Sequence, residues 1–485
     1  MKPGSHVHLI GVCGTAMASL AGLLQLRGHR VTGSDSGAYP PMSDLLQSLG
    51  IAIDPFAEHN LQPAPDLVIV GNAISRGNVE VEYLLEHRLP FTSMAQVLHE
   101  EFLFARRSLV VAGTHGKTTT SSMLAWILAV AAENDPRLAP SFLIGGVAEN
   151  FGTSFRWLDS VGRSGAQYFV IEGDEYDTAF FDKGPKFMHY FPQSMILTSV
   201  EFDHADIYGS LEEVKTAFKR LVNLVPRNGR VVAYGGHANV SECVAKAVCA
   251  VERYGFDESC AWQIRDLHQG EDGSHWQIFR NGKHWADVAM PLAGEHNVLN
   301  ATAAVALAAG EGVLPEDVVR ALKTFRSVKR RMEVIAEVNG VTIVDDFAHH
   351  PTAIRETLRA MRSRFSLAPA HSGGRLWAVL EPRSNTLRRN VFESELCDSL
   401  ALADRVVLAD VFRAAAIPEA ERLHPGAVVE RLNAQGTPAI LLSDADAIVE
   451  WIAPQLASGD VVAILSNGGF GNIYQKLPDR LRRVP

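Results

Sequence analysis

The sequence predicts an α/β protein built as three domains in series. Short β-branched runs alternate with amphipathic stretches almost throughout, the pattern of parallel sheets flanked by helices. The chain has 485 residues, enough for three domains at roughly 150 residues each. The alternation also restarts twice, after the charged stretch His99–Arg107 and after the basic run Lys329–Arg331. The expected domains are therefore residues 1–107, 108–328 and 329–485.

In the first unit, His6–Gly11 reads as a strand, Thr15–Arg27 as a helix, Arg30–Gly33 as the next strand and Asp66–Gly71 as a later one. The turn GVCGTAM at Gly11–Met17 is similar to a dinucleotide-binding turn but lacks the G-x-G-x-x-G spacing, and Ser34-Asp35 ends the next strand where a ribose contact would fall. That combination points to a nucleotide diphosphate more than to NAD. The apolar opening Val7–Leu26 carries Gly11, Gly14, Thr15, Ser19 and Gly22, so it reads as strand, tight turn and helix and not as a membrane segment.

The second unit opens on strand Ser108–Ala112. The run LVVAGTHGKTTT at Leu109–Thr120 leads into the apolar helix Met123–Ala132. A strand that ends in a glycine turn and opens a helix aims several backbone N–H groups and the helix dipole at one point. Lys117 adds a positive charge for the β/γ-phosphates of ATP and Thr118 a hydroxyl for magnesium. The general pattern wants a glycine five residues before Gly116, where this chain has Val111.

Strand Tyr168–Ile171 runs into EGDEYD at Glu172–Asp177, and strand Met195–Val200 into EFDHAD at Glu201–Asp206. If both lie parallel to the P-loop strand, all three ends share the ligand-binding edge of one sheet. Carboxylates there suit Mg2+, and a neighbouring histidine suits Mn2+ better. Between Gly235 and Leu292 the pattern changes: Trp276–Phe279 and His284–Met290 flank Asn281-Gly282, a type I′ hairpin signal for an antiparallel appendage. In GEHNVLN at Gly294–Asn300, Asn297 and Asn300 share a helix face; they are either readers of a base edge or an N-cap plus an incidental polar residue.

The third series has strands Val341–Val344, Leu376–Leu380, Arg405–Leu408 and Asp460–Leu465, with a loop at Leu367–Gly374. Arg331 stands at the joint with the second unit. Asp346 follows the first strand, and Pro351 suits the first turn of a helix. An Arg and an Asp at such a joint are placed to grip a nucleotide as domains close. His349 and His350 read as loop residues rather than a metal pair, because adjacent residues project differently.

Composition excludes some classes. Hydrophobic residues at 47% and charged residues at 21% rule out a disordered chain. With 45 Lys plus Arg against 55 Asp plus Glu, the net charge of −10 favours neither nucleic acid nor anionic membrane as a partner. Five cysteines (Cys13, Cys243, Cys249, Cys260, Cys397) without a CxxC pair indicate a reducing, cytoplasmic setting. The sequence assigns no oligomeric state.

Six elements in order, GTHGKTTT (Gly113–Thr120), EGDEYD, EFDHADIY (Glu201–Tyr208), GEHNVLN, RRME (Arg330–Glu333) and DDFAHHPT (Asp345–Thr352), resemble the Mur ligase family, ATP-dependent amide ligases that build peptidoglycan precursors. The resemblance implies a Rossmann-like UDP-binding domain, a central P-loop ATPase domain and a Rossmann-like third domain closing over ATP and peptide. It implies ATP contacts at Gly113, Thr114, His115, Gly116, Lys117, Thr118, Thr119, Asn297, Asn300, Arg331 and Asp346, metal contacts at Thr118, Glu172 and His204, and catalysis by Lys117, Glu172 and His204. No carbamylated lysine is assigned. GVCGTAM looks like the branch that takes UDP-N-acetylmuramate, which implies UDP-sugar contacts at Gly11, Gly14, Thr15, Met17, Ser34 and Asp35. Four stretches (Tyr39–Leu46, Tyr176–Tyr190, Leu380–Thr386 and Ser466–Gly471) look like members that add the murein tripeptide L-Ala-γ-D-Glu-meso-diaminopimelate in recycling, with L-alanine addition as the alternative. Rivals outside the family, an NAD-dependent dehydrogenase and a nucleotide switch that makes no bond, fit the P-loop and turn spacing less well.

Overall fold

The first five strands, β1 (His6–Ile10), β2 (Arg30–Ser34), β3 (Ile53–Asp54), β4 (Leu67–Val70) and β5 (Phe91–Ser93), form a sheet in the order β3-β2-β1-β4-β5. All its pairings are parallel. Val7, Leu9, Ile10, Val68, Ile69 and Val70 have no exposed surface, as expected of strands covered on both faces. The strand order reverses at β1, and Gly11 leaves it with φ of 84°, a backbone conformation glycine adopts without strain. The chain then enters the helix Thr15–Leu26. In this computed structural model the described residues are 1–38, 40, 42–159, 167–367 and 373–483. Tyr39 and Pro41 of the Tyr39–Leu46 stretch, and positions 368–372 of the predicted loop, lie outside them.

The second set is β6 (Arg107–Ala112), β7 (Pro140–Ala148), β8 (Thr153–Arg156), β9 (Tyr168–Gly173), the small hairpin β10 (Asp177–Ala179) and β11 (Asp182–Pro185), β12 (Ser194–Leu197), β13 (Arg230–Tyr234), β14 (Ala250–Gly255), β15 (Trp262–Gly270), β16 (Gly273–Arg280) and β17 (Lys283–Met290). Apart from the hairpin they make one ten-stranded sheet, β17-β16-β15-β14-β13-β12-β6-β9-β7-β8. Strands β12 and β9 flank β6 and both run parallel to it, so the three carboxyl ends meet at one edge. The expected type I′ turn is present, with Asn281 at φ 50° and Gly282 at φ 76°. The antiparallel strands are nonetheless not a separate appendage. Strand β15 pairs in parallel with β14, which satisfies the open edge of the main sheet and extends it.

The helices Lys117–Ala131 and Glu295–Gly310 pack against each other, and the second is buried nearly all round, which small alanines permit. The first two sheets are joined closely. A Cβ at Gly22 would stand 2.1 Å from Phe155 Cζ, and Ser19 Oγ lies 2.7 Å from Ser154 Oγ. Gly22→Ala should therefore lower stability by about 1–3 kcal/mol through overpacking, despite the better helix propensity of alanine. Urea denaturation monitored by circular dichroism tests this; a stabilised variant would contradict it.

The third sheet has strands β18 (Glu333–Val338), β19 (Val341–Asp346), β20 (Leu376–Leu380), β21 (Arg405–Ala409), β22 (Ala439–Leu442) and β23 (Val461–Leu465), in the order β18-β19-β23-β20-β21-β22. Only the edge strand β18 is antiparallel. Pro351 opens the helix Pro351–Arg364 as expected, and His350 Nδ1 caps it by accepting from Thr352 N at 3.3 Å. No helix among the described residues is long and apolar enough to cross a membrane. All five cysteines are free thiols, four of them buried.

Candidate active site

The phosphate loop is shorter than the general pattern. Val111 sits inside β6, fully buried and paired with Ile196 and Glu172, so the loop begins only at Gly113. Gly113 has φ of 131°, and a Cβ there would meet Thr198 Oγ1 at 2.2 Å. Gly116 has φ of 81°, and a Cβ there would meet Asn300 Oδ1 at 2.5 Å. Backbone shape and close packing thus both demand glycine at these two positions. Thr114 Oγ1 accepts from Glu201 N at 2.9 Å, which ties the loop to the end of β12.

Lys117 Nζ donates to Gly113 O (2.8 Å), Thr114 O (3.2 Å) and Glu175 Oε1 (3.0 Å). Desolvation opposes its charge, but Glu175, Asp174 and Glu172 outweigh that and raise its pKa above the ordinary lysine value. Thr118 Oγ1 donates to Glu172 Oε1 at 3.0 Å, and Gly145 N donates to Glu172 Oε2 at 2.8 Å. Desolvation pushes the Glu172 carboxyl up, and Lys117 offsets only part of this. Glu172 has no ion pair among the described residues. A hydroxyl and a carboxylate at this distance, with an acid that lacks a cation, fit a magnesium ion's preference for oxygen donors.

His204 joins the site differently from the expectation. It adopts a left-handed backbone (φ 55°), and its Nε2 lies 3.2 Å from Glu175 Oε1. Desolvation lowers its pKa, but Glu175 and Asp203 reverse this and the net shift is upward. Glu175 therefore bridges Lys117 and His204. Beside it, Lys186 Nζ donates to Asp174 Oδ2 at 2.6 Å. Lys186, with Lys117, overcomes desolvation and draws the Asp174 pKa down to about 2. Sequence reasoning singled out neither Glu175 nor Lys186. Their only signal was the density of acids around one lysine.

A second cluster bridges the second and third domains. Glu201 Oε2 accepts from Thr352 Oγ1 at 2.7 Å and lies 3.3 Å from His115 Nε2 and 3.9 Å from His350 Nδ1. Desolvation opposes its charge, but His115 and Thr352, with His237 Nε2 3.8 Å from Oε1, hold Glu201 well below the carboxylate range. His115, Glu201 and His350 each offer a ligand atom within 4.8 Å of the others. His349 turns away, its Nδ1 lying 2.8 Å from Phe347 O, so the two adjacent histidines project differently, as expected. Thr386 Oγ1 donates to Asp203 Oδ1 and Asn385 Nδ2 to Asp206 Oδ2, both at 2.7 Å, and these bonds add to the closure.

Lys117, Thr118, Glu172, Asp174 and His204 line a cleft of about 690 Å³ to which all three domains contribute, with Gly14, Thr15 and Met17 from the first and Arg383 from the third. A second cavity of about 350 Å³ is lined by Asn297, Asn300, Arg331 and Asp346. His115 and Gly116 border both. Thr119 faces the second cavity, and Thr118 the cleft. Asn297 is not an N-cap; its Nδ2 donates to Ala293 O at 2.8 Å. Arg331 lies over the Phe347 ring, with Cζ 5.0 Å from its centre.

Four expected contacts also carry structural duties. Ser34 is fully buried and donates to Glu80, so its hydroxyl is closed to a ribose. Asp35 accepts from Cys13 N (2.8 Å) and Gly37 N (3.1 Å), which ties its carboxylate to the turn. Gly11 shapes that turn and does not line the cleft. Asp346 borders the second cavity, but Met332 N, Ala348 N and Thr357 Oγ1 donate to it at 2.8, 2.9 and 3.1 Å. It organises the joint. Two of the partners come from helices, Glu80 from Val79–Glu86 and Thr357 from Pro351–Arg364, which the spacing at a strand end does not reveal.

Three Mur ligase domain families cover most of the chain. The Mur ligase family, catalytic domain, matches residues 6–105, the Mur ligase middle domain residues 111–308, and the Mur ligase, glutamate ligase domain, residues 330–468. A UDP-N-acetylmuramate–L-alanyl-γ-D-glutamyl-meso-2,6-diaminoheptandioate ligase of Escherichia coli is 42% identical over 479 residues, 99% of this chain and 98% of its own. The chain belongs to the Mur ligase family. Among other Mur ligases, the crystal structure of a murein peptide ligase from Psychrobacter arcticus superposes with a TM-score of 0.74 at 37% identity, covering 99% of this chain and 100% of that one. A UDP-N-acetylmuramate–L-alanine ligase of Acidithiobacillus ferrooxidans is 32% identical over 486 residues, 98% of this chain and 97% of its own.

Proposed function

We propose that this Mur ligase joins UDP-N-acetylmuramate to the tripeptide L-Ala-γ-D-Glu-meso-diaminopimelate at the expense of ATP, in cytoplasmic peptidoglycan recycling. The observation that carries the reading is the 42% identity, across nearly both whole chains, to a relative named for that tripeptide, against 32% for one named for L-alanine. The cleft agrees with a three-substrate reaction. Residues 1–107 would take the UDP-sugar, 108–328 ATP and metal, and 329–485 the peptide.

In this mechanism ATP phosphorylates the lactyl carboxylate, giving an acyl phosphate and ADP. The peptide's terminal amine attacks the acyl carbon, and the tetrahedral intermediate expels phosphate, with loss of a proton from nitrogen. Gly113 to Thr119 wrap the phosphates, and Lys117, fixed by two loop carbonyls and Glu175, neutralises charge as two anions approach. Thr118 and Glu172 would hold Mg2+, or Mn2+ in its place, which supplies further charge neutralisation at the phosphates. His204 acts on the site through Glu175, and Asn297, Asn300 and Arg331 line the cavity that suits the nucleoside. The acyl phosphate hydrolyses in water, so the contacts of Thr352, Thr386 and Asn385 across the domain joint serve to keep the site shut.

The test supplies ATP and UDP-N-acetylmuramate with either tripeptide or L-alanine and compares kcat/KM. Tripeptide should be preferred by at least about 100-fold, the discrimination expected when a site built to bind several polar groups meets an amine that lacks them. A preference for free L-alanine would assign the chain to de novo synthesis instead.

A further inference from the structure

The cleft holds a buried ammonium that the phosphate chemistry leaves partly unused. Lys186 directly follows β11, is 6% exposed and lines the same cleft as Lys117 and Glu172. An ammonium carries three N–H donors. Lys117 directs its donors at Gly113 O, Thr114 O and Glu175. Lys186 Nζ has one hydrogen-bond acceptor among the described residues, Asp174 Oδ2 at 2.6 Å, and its other contact is the Tyr176 ring, whose centre lies 5.6 Å away. Buried donors are as a rule paired, so two unclaimed N–H groups on a cleft wall mark a place for an acceptor that the protein does not supply.

The fold fixes this ammonium from two sides. Lys186 N donates to Tyr176 O at 3.0 Å and Phe187 N to Asp174 O at 3.2 Å, which folds the end of the β10–β11 hairpin back onto the acidic turn. The hairpin also reaches the first domain. Phe180 packs against the buried cluster of Ile10, Val68 and Val70, and the Phe181 ring meets Phe91 edge-on with centres 5.0 Å apart. Further on, His189 Nδ1 lies 3.1 Å from Gln96 Oε1. Lys186 therefore stands at the seam of the first two domains, on the wall it shares with Thr15 and Met17. The other lysine lining the cleft is Lys117, and the arginines lining it begin at Arg331.

The proposed reaction brings the lactyl carboxylate of UDP-N-acetylmuramate against the γ-phosphate, in a cleft already lined by Glu172 and Asp174. Anions that close together repel unless cations stand beside them. Lys117 serves the phosphates, on the other side of the approach. We infer that Lys186 binds the lactyl carboxylate of the acceptor, donating to one of its oxygens while the other oxygen attacks the γ-phosphorus. The new O–P bond forms as the bond from the γ-phosphorus to the bridging oxygen breaks, ADP leaves with that electron pair, and Lys186 keeps its protons throughout. This rests on the reading of UDP-N-acetylmuramate as acceptor.

Steady-state kinetics of the whole enzyme test it with Lys186→Met, which keeps much of the stem and removes the charge. The UDP-N-acetylmuramate KM should rise about 10- to 100-fold, the loss of one charge-assisted hydrogen bond, with the ATP and tripeptide KM values moving less than about two-fold. Lys186→Arg, which keeps the charge, should recover part of the loss. UDP-N-acetylglucosamine has the same diphosphate and no lactyl carboxylate, so its inhibition constant should stay within about two-fold of the wild-type value. An unmoved UDP-N-acetylmuramate KM overturns the inference. So does an equal weakening of UDP-N-acetylglucosamine, which would give Lys186 to the diphosphate. Lys186→Met strands Asp174 without its ion pair. If that variant does not fold, the double variant Lys186→Met with Asp174→Asn removes both charges and is judged by the same constants. Wild-type enzyme run alongside separates the two claims. If it does not turn over UDP-N-acetylmuramate, the functional reading fails. If it does while the variants keep its KM, only the role of Lys186 fails.

Discussion

Lys117→Ala should abolish ligase turnover, lowering kcat by about 10³-fold or more, roughly 4 kcal/mol of transition-state stabilisation. The ammonium is held by Gly113 O, Thr114 O and Glu175, with Asp174 and Glu172 adding to the negative field around it. Its removal leaves those acids facing the phosphates and a substrate carboxylate without their cation. Arginine should not rescue, because a planar fork cannot replace a compact point charge in a tight loop. Release of ADP and phosphate, measured with UDP-N-acetylmuramate and tripeptide present, reads the effect. ADP release near the wild-type rate would contradict the assigned role, and a circular dichroism spectrum checks that the variant is folded.

Glu172→Gln should lower turnover by about 10²- to 10³-fold, the scale set by loss of one preorganised electrostatic group. Glutamine keeps the size of the side chain and an oxygen for Gly145 N or Thr118 Oγ1, so the substitution removes charge more than shape. Neither Mg2+ nor Mn2+ at high concentration should restore the rate. An unchanged dependence of rate on metal would remove Glu172 from the metal site. The pH dependence has a definite sign. Desolvation raises the pKa of Glu172. Protons therefore compete with metal at a higher pH than they would at an exposed glutamate, and the metal requirement of the wild-type enzyme should rise as pH falls.

Much of this site was legible because its signals are local. A strand, two glycines, Lys117 and Thr118 lie within a dozen residues, and the backbone of such a run has few ways to fold. The ends of β9 and β12 could also be placed, since parallel strands in one sheet point their carboxyl ends the same way. Pro351 marked its helix start correctly. Ser34 was misleading for a physical reason: Glu80, on a helix 46 residues further along the chain, claims its hydroxyl, while Asp35 also holds the turn through Cys13 and Gly37. Arg388 and Arg413 carried no message as isolated arginines, and Arg383 stood out only within the stretch Leu380–Thr386. Arg413 adjoins Phe412 in the chain, whereas only the pairing of β20 with β21 brings Arg383 onto the same ring.

The sequence by itself determined three α/β domains, a phosphate loop, the carboxylates at two strand ends and membership expected in one ligase family. Periodicity, glycine placement and a run such as GTHGKTTT act over short stretches of chain. Only the tertiary structure decided that Glu175 bridges Lys117 and His204, that Glu201 ties His115 to the third domain, and that Arg383 and Arg413 share the Phe412 ring. Those groups depend on side chains brought together from distant segments, and the net charge of −10 conceals them. Whether a carboxylate meets a cation, a histidine or a backbone N–H depends on which segments the fold packs beside it, and no local spacing carries that information.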